Sequence, residues 1–233
     1  MTRHMRRLPG FLVIIVALIV ATTGPQAWAA NPFEEARIFF EYNSTDNDLG
    51  VHVALDAEDW NAVKIIHPNG QTIFEVTVRG GFKTFGLSQM FFEGAEPSLD
   101  EIALADLLAL FPEKNYKFIG TRVDGTQLQS TAKLSYAIPA GPKAFAKVRG
   151  GEVTIRWEGV TKPPVGFPNR AIKIVGYQVI VGSFQVTLPA SSRSVEVPEE
   201  YIKSLSPGTY GFEVLAIEAS GNQTITAGSF TKP

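Results

Sequence analysis

Oxygen-rich side chains cluster in two short segments of the chain, and calcium binding is the chemistry they could support. The first segment is Asn43-Ser44-Thr45-Asp46-Asn47-Asp48 and the second is Asp56-Ala57-Glu58-Asp59. If residues 49–55 form one strand, the two segments lie about 20 Å apart, and one calcium ion, which needs several oxygens within bonding distance, cannot join them. Asp46 and Asp48 with backbone carbonyls are therefore candidates for a weak calcium site, and a solvated Asx-rich turn is the alternative.

Groups that could carry catalysis are few. The chain has no cysteine, which excludes disulfides, thiolate nucleophiles and cysteine-bound zinc. After residue 29 only His52 and His67 remain as histidines, and no nucleophile elbow, phosphate loop or zinc-protease motif is present. We expect His52 to be a surface residue, since it lies opposite Val51 and Val53, and His67 to flank a turn. The prediction is a protein without catalytic or cofactor-binding residues; a hydrolase built from residues distant in sequence stays open.

The first 29 residues have the three-part layout of a secretory signal. Arg3, Arg6 and Arg7 precede an uncharged apolar stretch, and Ala27-Trp28-Ala29 supplies small residues for signal peptidase. We therefore predict an exported protein, secreted or periplasmic, that is cleaved after Ala29 and has no membrane span afterwards. The alternative is a retained N-terminal anchor, for which the dense apolar core of about ten residues is short.

Charge divides the rest of the chain into two parts. Residues 30–139 hold 16 acidic side chains against 8 Lys and Arg, whereas residues 140–233 hold 7 against 10. An acidic half beside a mildly basic half does not favour nucleic-acid binding, which needs concentrated Lys and Arg with interleaved aromatic residues. The division fits two domains with different surfaces.

Alternation of apolar and polar residues is the dominant local pattern and predicts β-strands. It is clear in Ile38, Phe40 and Tyr42, in Val51, Val53 and Leu55, and in Val153, Ile155 and Trp157. Turn residues separate these runs, as in Pro68-Asn69-Gly70. The expected fold class is all-β, with two tandem immunoglobulin-like or fibronectin type III-like antiparallel β-sandwiches.

One segment predicts a helix within the first domain. Ser98-Leu99-Asp100-Glu101 has the spacing of a capping box, apolar residues continue to Leu108, and Pro112 ends the pattern. Two aromatic pairs, Phe39-Phe40 and Phe91-Phe92, place neighbouring rings on opposite sheet faces. The outward rings, with Phe82 and Phe85, are either covered by other elements or form an exposed platform for a sugar or protein partner.

A short internal echo supports two copies of one architecture. The segment from Leu110 to Phe118 resembles the segment from Leu205 to Phe212, and their tyrosines, Tyr116 and Tyr210, are 94 residues apart. That period matches one immunoglobulin-like sandwich. We therefore predict an acidic domain over residues 30–139, a second domain over residues 140–233, and a linker at Ile138-Pro139-Ala140-Gly141-Pro142.

Residues 142–231 resemble a fibronectin type III domain. The resemblance rests on Trp157, on Val175-Gly176-Tyr177-Gln178-Val179, and on the run from Leu205 through Pro207-Gly208 and Tyr210 to Ala216. It implies structural core roles for Trp157, Tyr177 and Tyr210, with the Tyr210 hydroxyl bonded to nearby backbone as a tyrosine corner; through the echo Tyr116 takes the same role. One residue fewer than usual separates Pro207 from Tyr210.

The expected function is a non-enzymatic exported binding, adhesion or spacer module that acts through its sandwich surfaces on a protein or carbohydrate partner. The runner-up is a secreted hydrolase or carbohydrate-active protein with its site in the first domain. Asn43-Ser44-Thr45 and Asn222-Gln223-Thr224 also match the acceptor pattern for N-glycosylation.

Overall fold

The structure is a computed structural model that describes residues 31–233. The predicted signal peptide and its cleavage site lie outside the described residues. In the described part, 53% of the residues are in strands and 9% in helices, which confirms the all-β prediction. The thirteen strands are β1 (Glu35–Asn43), β2 (Asp48–Ile66), β3 (Thr72–Thr77), β4 (Leu87–Glu93), β5 (Asn115–Arg122), β6 (Gln127–Lys133), β7 (Ala144–Arg149), β8 (Glu152–Trp157), β9 (Ile174–Val181), β10 (Phe184–Pro189), β11 (Ser194–Glu196), β12 (Gly208–Glu218) and β13 (Gln223–Lys232).

Strand β2 organises the first half because it is long enough to pair with four partners. Its first part pairs with β1 and β4, and its last part with β3 and β5. The pairing register shifts between Asp56 and Trp60, and Asp59 adopts a positive φ of 43°. An irregularity of this kind bends a strand, so the two parts of β2 enter different portions of the sheet. The acidic segment predicted to follow a strand thus lies inside β2.

Alternation holds at the predicted positions. Ile38, Phe40 and Tyr42 of β1 are buried and lie directly opposite Val53, Val51 and Leu49 of β2. Residues directly opposite in an antiparallel pair share a sheet face, so these six side chains form one apolar layer. The prediction of an inward face at these positions is confirmed.

Two hydrophobic clusters form the interior of the described residues. The first draws its buried members from residues 33–138 and the second from residues 153–230. In the second, a three-stranded sheet in the order β11-β8-β7 contributes Ile155 and Trp157, while β9 and β12 contribute Tyr177 and Val214. Each cluster falls within one of the two predicted halves.

One sheet nevertheless runs through both halves. Its order is β10-β9-β12-β13-β1-β2-β5-β6, and the two halves meet where β1 pairs with β13 in parallel. The register there joins Glu41 to Gln223, Tyr42 to Thr224 and Asn43 to Ile225. The first and last strands of the described chain are therefore neighbours, and the halves share backbone hydrogen bonds.

Buried polar groups accompany this junction. The Phe40 amide donates to Asn222 Oδ1 (2.8 Å), and Asn222 Nδ2 donates to the Ser135 carbonyl (2.8 Å). Thr224 Oγ1 donates to the carbonyl of Pro139, within the predicted linker (2.5 Å). Asn222 is fully buried and its amide nitrogen already donates to Ser135, so the acceptor pattern at this residue is inaccessible in the folded protein.

Three short helices are present in the described residues instead of the single predicted one: α1 (Gly81–Phe85), α2 (Leu104–Leu110) and α3 (Glu199–Ser204). Helix α2 starts six residues after Ser98, and its N-cap, Ala103, makes no side-chain capping bond. Ser98 instead forms a β-bridge with Asp48, and Leu99 donates to the Asn47 carbonyl (2.8 Å). These contacts hold the segment against the start of β2, so the capping-box prediction is wrong.

A salt bridge between the two halves makes the stability of the fold depend on pH in the acid range. Arg170 contacts Glu113 Oε2 through Nη2 (2.8 Å) and Nε (3.1 Å), and the Tyr136 amide donates to Glu113 Oε1 (3.0 Å). The hydrogen bonds from Arg170 lower the pKa of Glu113 below its ordinary value of 4.5. A carboxyl whose pKa is lower in the folded state stabilises the protein above the unfolded pKa, and that stabilisation is lost as the pH falls through the folded pKa.

We expect Glu113→Gln to lower the free energy of unfolding by about 1 kcal/mol at neutral pH. The difference from the wild type should shrink as the pH falls below 4.5, because Glu113 is then protonated in both states. Urea unfolding at neutral and acidic pH measures both values. Glu158→Gln is the matched control, since Glu158 and its partner Lys143 are both largely exposed and should contribute little.

Candidate functional site

An open apolar cleft of about 520 Å³ lies in the first half of the described residues. Its floor consists of residues from the first hydrophobic cluster, among them Ile38, Val53 and Ile65. The interior of the first half is therefore reachable from solvent at this place. Concave, largely apolar sites of this size are typical ligand sites in proteins.

The wall of the cleft carries no charged side chain. Its polar members are His67, Asn69 and Gln71, from the turn between β2 and β3, and the other members are apolar or glycine: Ile38, Val51, Val53, Ile65, Ile73, Phe74, Phe92, Gly94, Ala109, Leu110 and Phe111. Ile73 and Leu110 are exposed to solvent. The prediction that His67 flanks a turn is confirmed, because His67 and Gln71 are joined by a backbone hydrogen bond (2.8 Å).

Strands β3 and β4 lie beside the cleft, and each pairs with β2 along one edge only in residues 31–233. Phe74 of β3 and Phe92 of β4 stack with ring centroids 4.5 Å apart and line the cleft together. A strand edge with unpaired N–H and C=O groups is able to receive another strand. The cleft thus combines an apolar floor with backbone groups available for pairing.

A second arrangement lies on the opposite face of the β1–β2 pair and includes Glu41, His52 and Glu96. One ligand atom from each of these residues lies within 4.8 Å of those from the other two. His52 Nε2 and Glu96 Oε1 are 3.1 Å apart. His52 is only 2% exposed, so the prediction of a surface histidine is wrong. This second face of the sheet is also covered, which the alternation pattern does not reveal.

Aromatic neighbours and one glycine position this cluster. The His52 ring lies between Phe39, at 5.3 Å, and Phe91, at 5.7 Å, measured between ring centroids. A Cβ atom on Gly50 would stand 2.6 Å from Glu96 Cγ, so the glycine leaves space for the Glu96 side chain in its present position over β2. Gly50 therefore gives Glu96 its path to His52.

The two carboxyl groups of the cluster lack a strong cationic partner. No Lys or Arg of residues 31–233 forms an ion pair with either one. Burial raises the pKa of Glu41 and of Glu96 above their ordinary values. Gln223, from the last strand, donates through Nε2 to Glu41 Oε2 and orients that group. This partial burial of two carboxylates costs free energy that a bound cation would offset.

His52 Nδ1 is buried and has no hydrogen-bond partner in the described part of the chain. Nε2 faces Glu96 Oε1, so a cation held between these two atoms would take the Nε2 lone pair, and the ring proton would then lie on Nδ1. One imidazole and two carboxylates form a ligand set suited to a divalent transition metal. The burial of the ring separates it from a substrate in solution, which favours ion binding over proton transfer.

The two aspartates singled out for calcium lie elsewhere. Asp46 is exposed and accepts a hydrogen bond from Asn43 Nδ2 (2.8 Å). Asp48 begins β2; its Oδ1 is buried without a partner, and burial raises its pKa. Neither belongs to the cluster of Glu41, His52 and Glu96. Calcium binding at Asp46 and Asp48 stays a prediction.

The four residues given structural core roles lie in or beside the two hydrophobic clusters. Trp157, Tyr177 and Tyr116 are buried, and Tyr210 is half-buried against the second cluster. The Tyr210 hydroxyl donates to the Ser206 carbonyl (2.7 Å), and the Tyr116 hydroxyl donates to the Pro112 carbonyl (3.3 Å). Both bonds span four residues, so the two tyrosines of the echo make the same local contact.

Some of the outward aromatic rings are covered by other elements, and others are exposed to solvent. Phe39 is buried, whereas Phe91 is 61% exposed and Phe82 and Phe85 are also exposed. Phe82 and Phe85 belong to α1, which contributes no side chain to the wall of the cleft.

Among residues 31–233, no helix has the length and apolar character to cross a membrane.

Comparison with known proteins gives distant likenesses only. No protein-family profile matches the chain, and no curated protein matches it in sequence. A spore cortex lytic enzyme of Clostridium perfringens shows 15% identity and a TM-score of 0.30, over 40% of this chain and 27% of that one. A tandem repeat from the extending region of a large adhesion protein shows 10% identity and a TM-score of 0.27, over 85% and 50%.

A biofilm-associated protein domain shows 13% identity and a TM-score of 0.26, over 85% of this chain and 29% of that one. The chain thus spans half or less of the length of these three proteins. Likenesses at these scores assign neither a family nor an activity.

Proposed function

We propose that this protein is a non-enzymatic, exported binding module and that its apolar cleft receives an extended apolar segment of a partner protein. The module consists of two tandem sandwich-like units, residues 30–139 and 140–233. The first carries the binding cleft, and the second, fibronectin type III-like, acts as spacer or additional surface. The Tyr210–Ser206 bond and the burial of Trp157 support that second assignment.

The observation that carries the proposal is the cleft of about 520 Å³ with its uncharged lining. The apolar side chains of Ile73 and Leu110 at the rim of the cleft are exposed, and apolar surface left in water costs roughly 25 cal/mol for each Å². Insertion of apolar side chains from a partner removes that cost. The unpaired edges of β3 and β4 provide backbone groups for a strand that enters beside them.

A protein segment fits this site better than a carbohydrate. Sugars present many hydroxyl groups, and each one that is buried needs a hydrogen-bond partner. The cleft offers only three polar side chains, all at one turn. An extended segment with apolar residues at every second position presents one apolar row to the floor and leaves its backbone free to pair.

An uncharged fluorescent probe, N-phenyl-1-naphthylamine, tests the cleft with the processed chain, residues 30–233. We expect saturable binding that a peptide with alternating apolar residues displaces. A peptide of the same composition with its apolar residues in one block should compete poorly. Ile73→Glu and Leu110→Glu each place a carboxylate at the exposed rim and should weaken probe binding by about tenfold or more.

Val165→Glu is the matched control, because Val165 is fully exposed and lies outside the cleft. Equal probe binding by all three variants would contradict the cleft as the site. Hydrolase-substrate profiling of the same protein tests the enzymatic alternative. Reproducible turnover that a single carboxylate or histidine substitution abolishes would replace the binding-module proposal with that of a secreted hydrolase.

A further inference from the structure

We propose that Glu41, His52 and Glu96 form a binding site for a divalent transition-metal cation, with zinc as the ion that best fits the ligand set. The site is independent of the apolar cleft, since none of its three residues lines the cleft. It is also separate from the calcium candidates, Asp46 and Asp48.

The spacing of the three residues suits a single small ion. Zinc binds nitrogen and oxygen ligands at about 2.0–2.2 Å, which places tetrahedral ligand atoms about 3.4 Å from one another. His52 Nε2 and Glu96 Oε1 are already 3.1 Å apart, and all three ligand atoms lie within 4.8 Å of one another. Small side-chain rotations of the two glutamates close the remaining gap. Glutamate has the rotatable bonds to make them.

The donor types select the ion. Calcium takes six to eight oxygen ligands and magnesium keeps an octahedral oxygen shell, and a buried imidazole serves neither. An imidazole with two carboxylates suits zinc and its neighbours among the divalent transition metals. Three protein ligands leave a fourth position for solvent, which can enter beside Glu96, whose side chain is 25% exposed.

Neighbouring residues hold the three proposed ligands in place, as they do in other metal sites. Phe39 and Phe91 hold the His52 ring, and Gln223 donates to Glu41. Hydrogen bonds from a second layer of residues fix ligands in metal sites and raise affinity. Gln223 comes from β13, so an ion at this site would tie β1, β2 and the segment after β4 to β13.

Isothermal titration calorimetry with zinc chloride tests the site on the processed chain without an affinity tag. We expect one zinc ion per chain and a rise in melting temperature of about 5–10 °C when zinc exceeds its dissociation constant about 100-fold. Calcium and magnesium at the same concentrations should give no heat that depends on these three residues. Loss of a residue that only supports a ligand typically lowers metal affinity 10–100-fold. Glu41→Gln and Glu96→Gln remove ligands themselves, so each should lower zinc affinity by about 100-fold or more.

Two variants separate a metal site from a general effect of charge or folding. Glu75→Gln removes an exposed glutamate of β3, which pairs with Lys64 at the far end of β2 and lies outside the set of three, and it should bind zinc like the wild type. Gly50→Ala keeps all three ligands but displaces Glu96, and it should weaken zinc binding at least tenfold while circular dichroism stays unchanged. None of these variants replaces His52, because a change of this buried side chain could itself disturb the fold.

Zinc binding absent at ~100 μM would overturn the proposal, since specific sites bind far more tightly. Binding that is equal in wild type, Glu96→Gln and Gly50→Ala would also overturn it, because the ion would then be held adventitiously elsewhere. A loss of binding confined to the ligand and Gly50 variants supports the site. Probe binding in the apolar cleft is measured separately, so the two proposals succeed or fail independently.

Discussion

Replacement of Trp60 by alanine is expected to lower the free energy of unfolding by about 3–5 kcal/mol. Trp60 is fully buried in the first hydrophobic cluster and lies where β2 bends between its two sets of partners. Removal of the indole leaves a cavity that a bent, fully paired strand cannot easily close. Urea denaturation followed by circular dichroism measures the change.

A milder variant separates packing from hydrogen bonding at this position. Trp60 Nε1 has no hydrogen-bond partner in the described residues, so Trp60→Phe loses no such bond. We expect it to cost about 1–3 kcal/mol, less than alanine. Trp157→Ala, in the second cluster, gives the matching cavity there. A loss below about 1 kcal/mol for Trp60→Ala would show that the bend of β2 does not depend on this side chain.

Replacement of Asn222 by alanine is expected to cost about 2–4 kcal/mol, because its amide satisfies two buried backbone groups at once. Without it the Phe40 N–H and the Ser135 carbonyl lose their partners at the junction between the halves. Asn222 itself is fully buried, so water does not readily replace the lost bonds. Thermal or urea unfolding of the purified variant checks the value.

Two further variants define what the Asn222 amide contributes. Asn222→Asp keeps the shape but exchanges the donor toward Ser135 for an acceptor and buries a charge, so it should destabilise at least as much as alanine. Asn115→Ala, at an exposed position in β5, should change stability by less than about 0.5 kcal/mol. Stability of Asn222→Ala equal to that of Asn115→Ala would contradict a structural role for the buried amide.

Alternation of apolar and polar residues predicts which side chains of a strand face a hydrophobic cluster. Ile38, Phe40 and Tyr42 follow that rule, and their inward face is confirmed. The rule fails for β2, where Asp56 to Asp59 have the composition of a turn. Arg122, 63 residues further along the chain than Asp59, donates to its carboxylate (2.6 Å) and pairs with Trp60 directly after this segment. Long-range pairing outweighs local propensity there, and no local signal announces it.

The same limit applies to the candidate sites. The side chain of Glu96 reaches His52 from 44 residues away, and Gln223 reaches Glu41 from 182 residues away. Neither separation leaves a motif in the sequence. Glu41 and Phe39 are two residues apart in β1 and therefore share the outer face, and a polar residue near a bulky aromatic residue on that face is one sequence signal. Gly50, between two apolar residues, was a second, since glycine in a strand often marks a close approach.

The pairing of β1 with β13 has a consequence for how the protein must be made. A ribosome or a translocation channel releases β1 long before residues 223–225, so the partner of that edge arrives 182 residues later. Until then the edge of β1 that later pairs with β13 has no native neighbour, and contacts over such sequence distances form slowly. A nascent polypeptide of this kind benefits from a holding factor in its compartment, and loss of the last strand leaves a sheet edge prone to self-association.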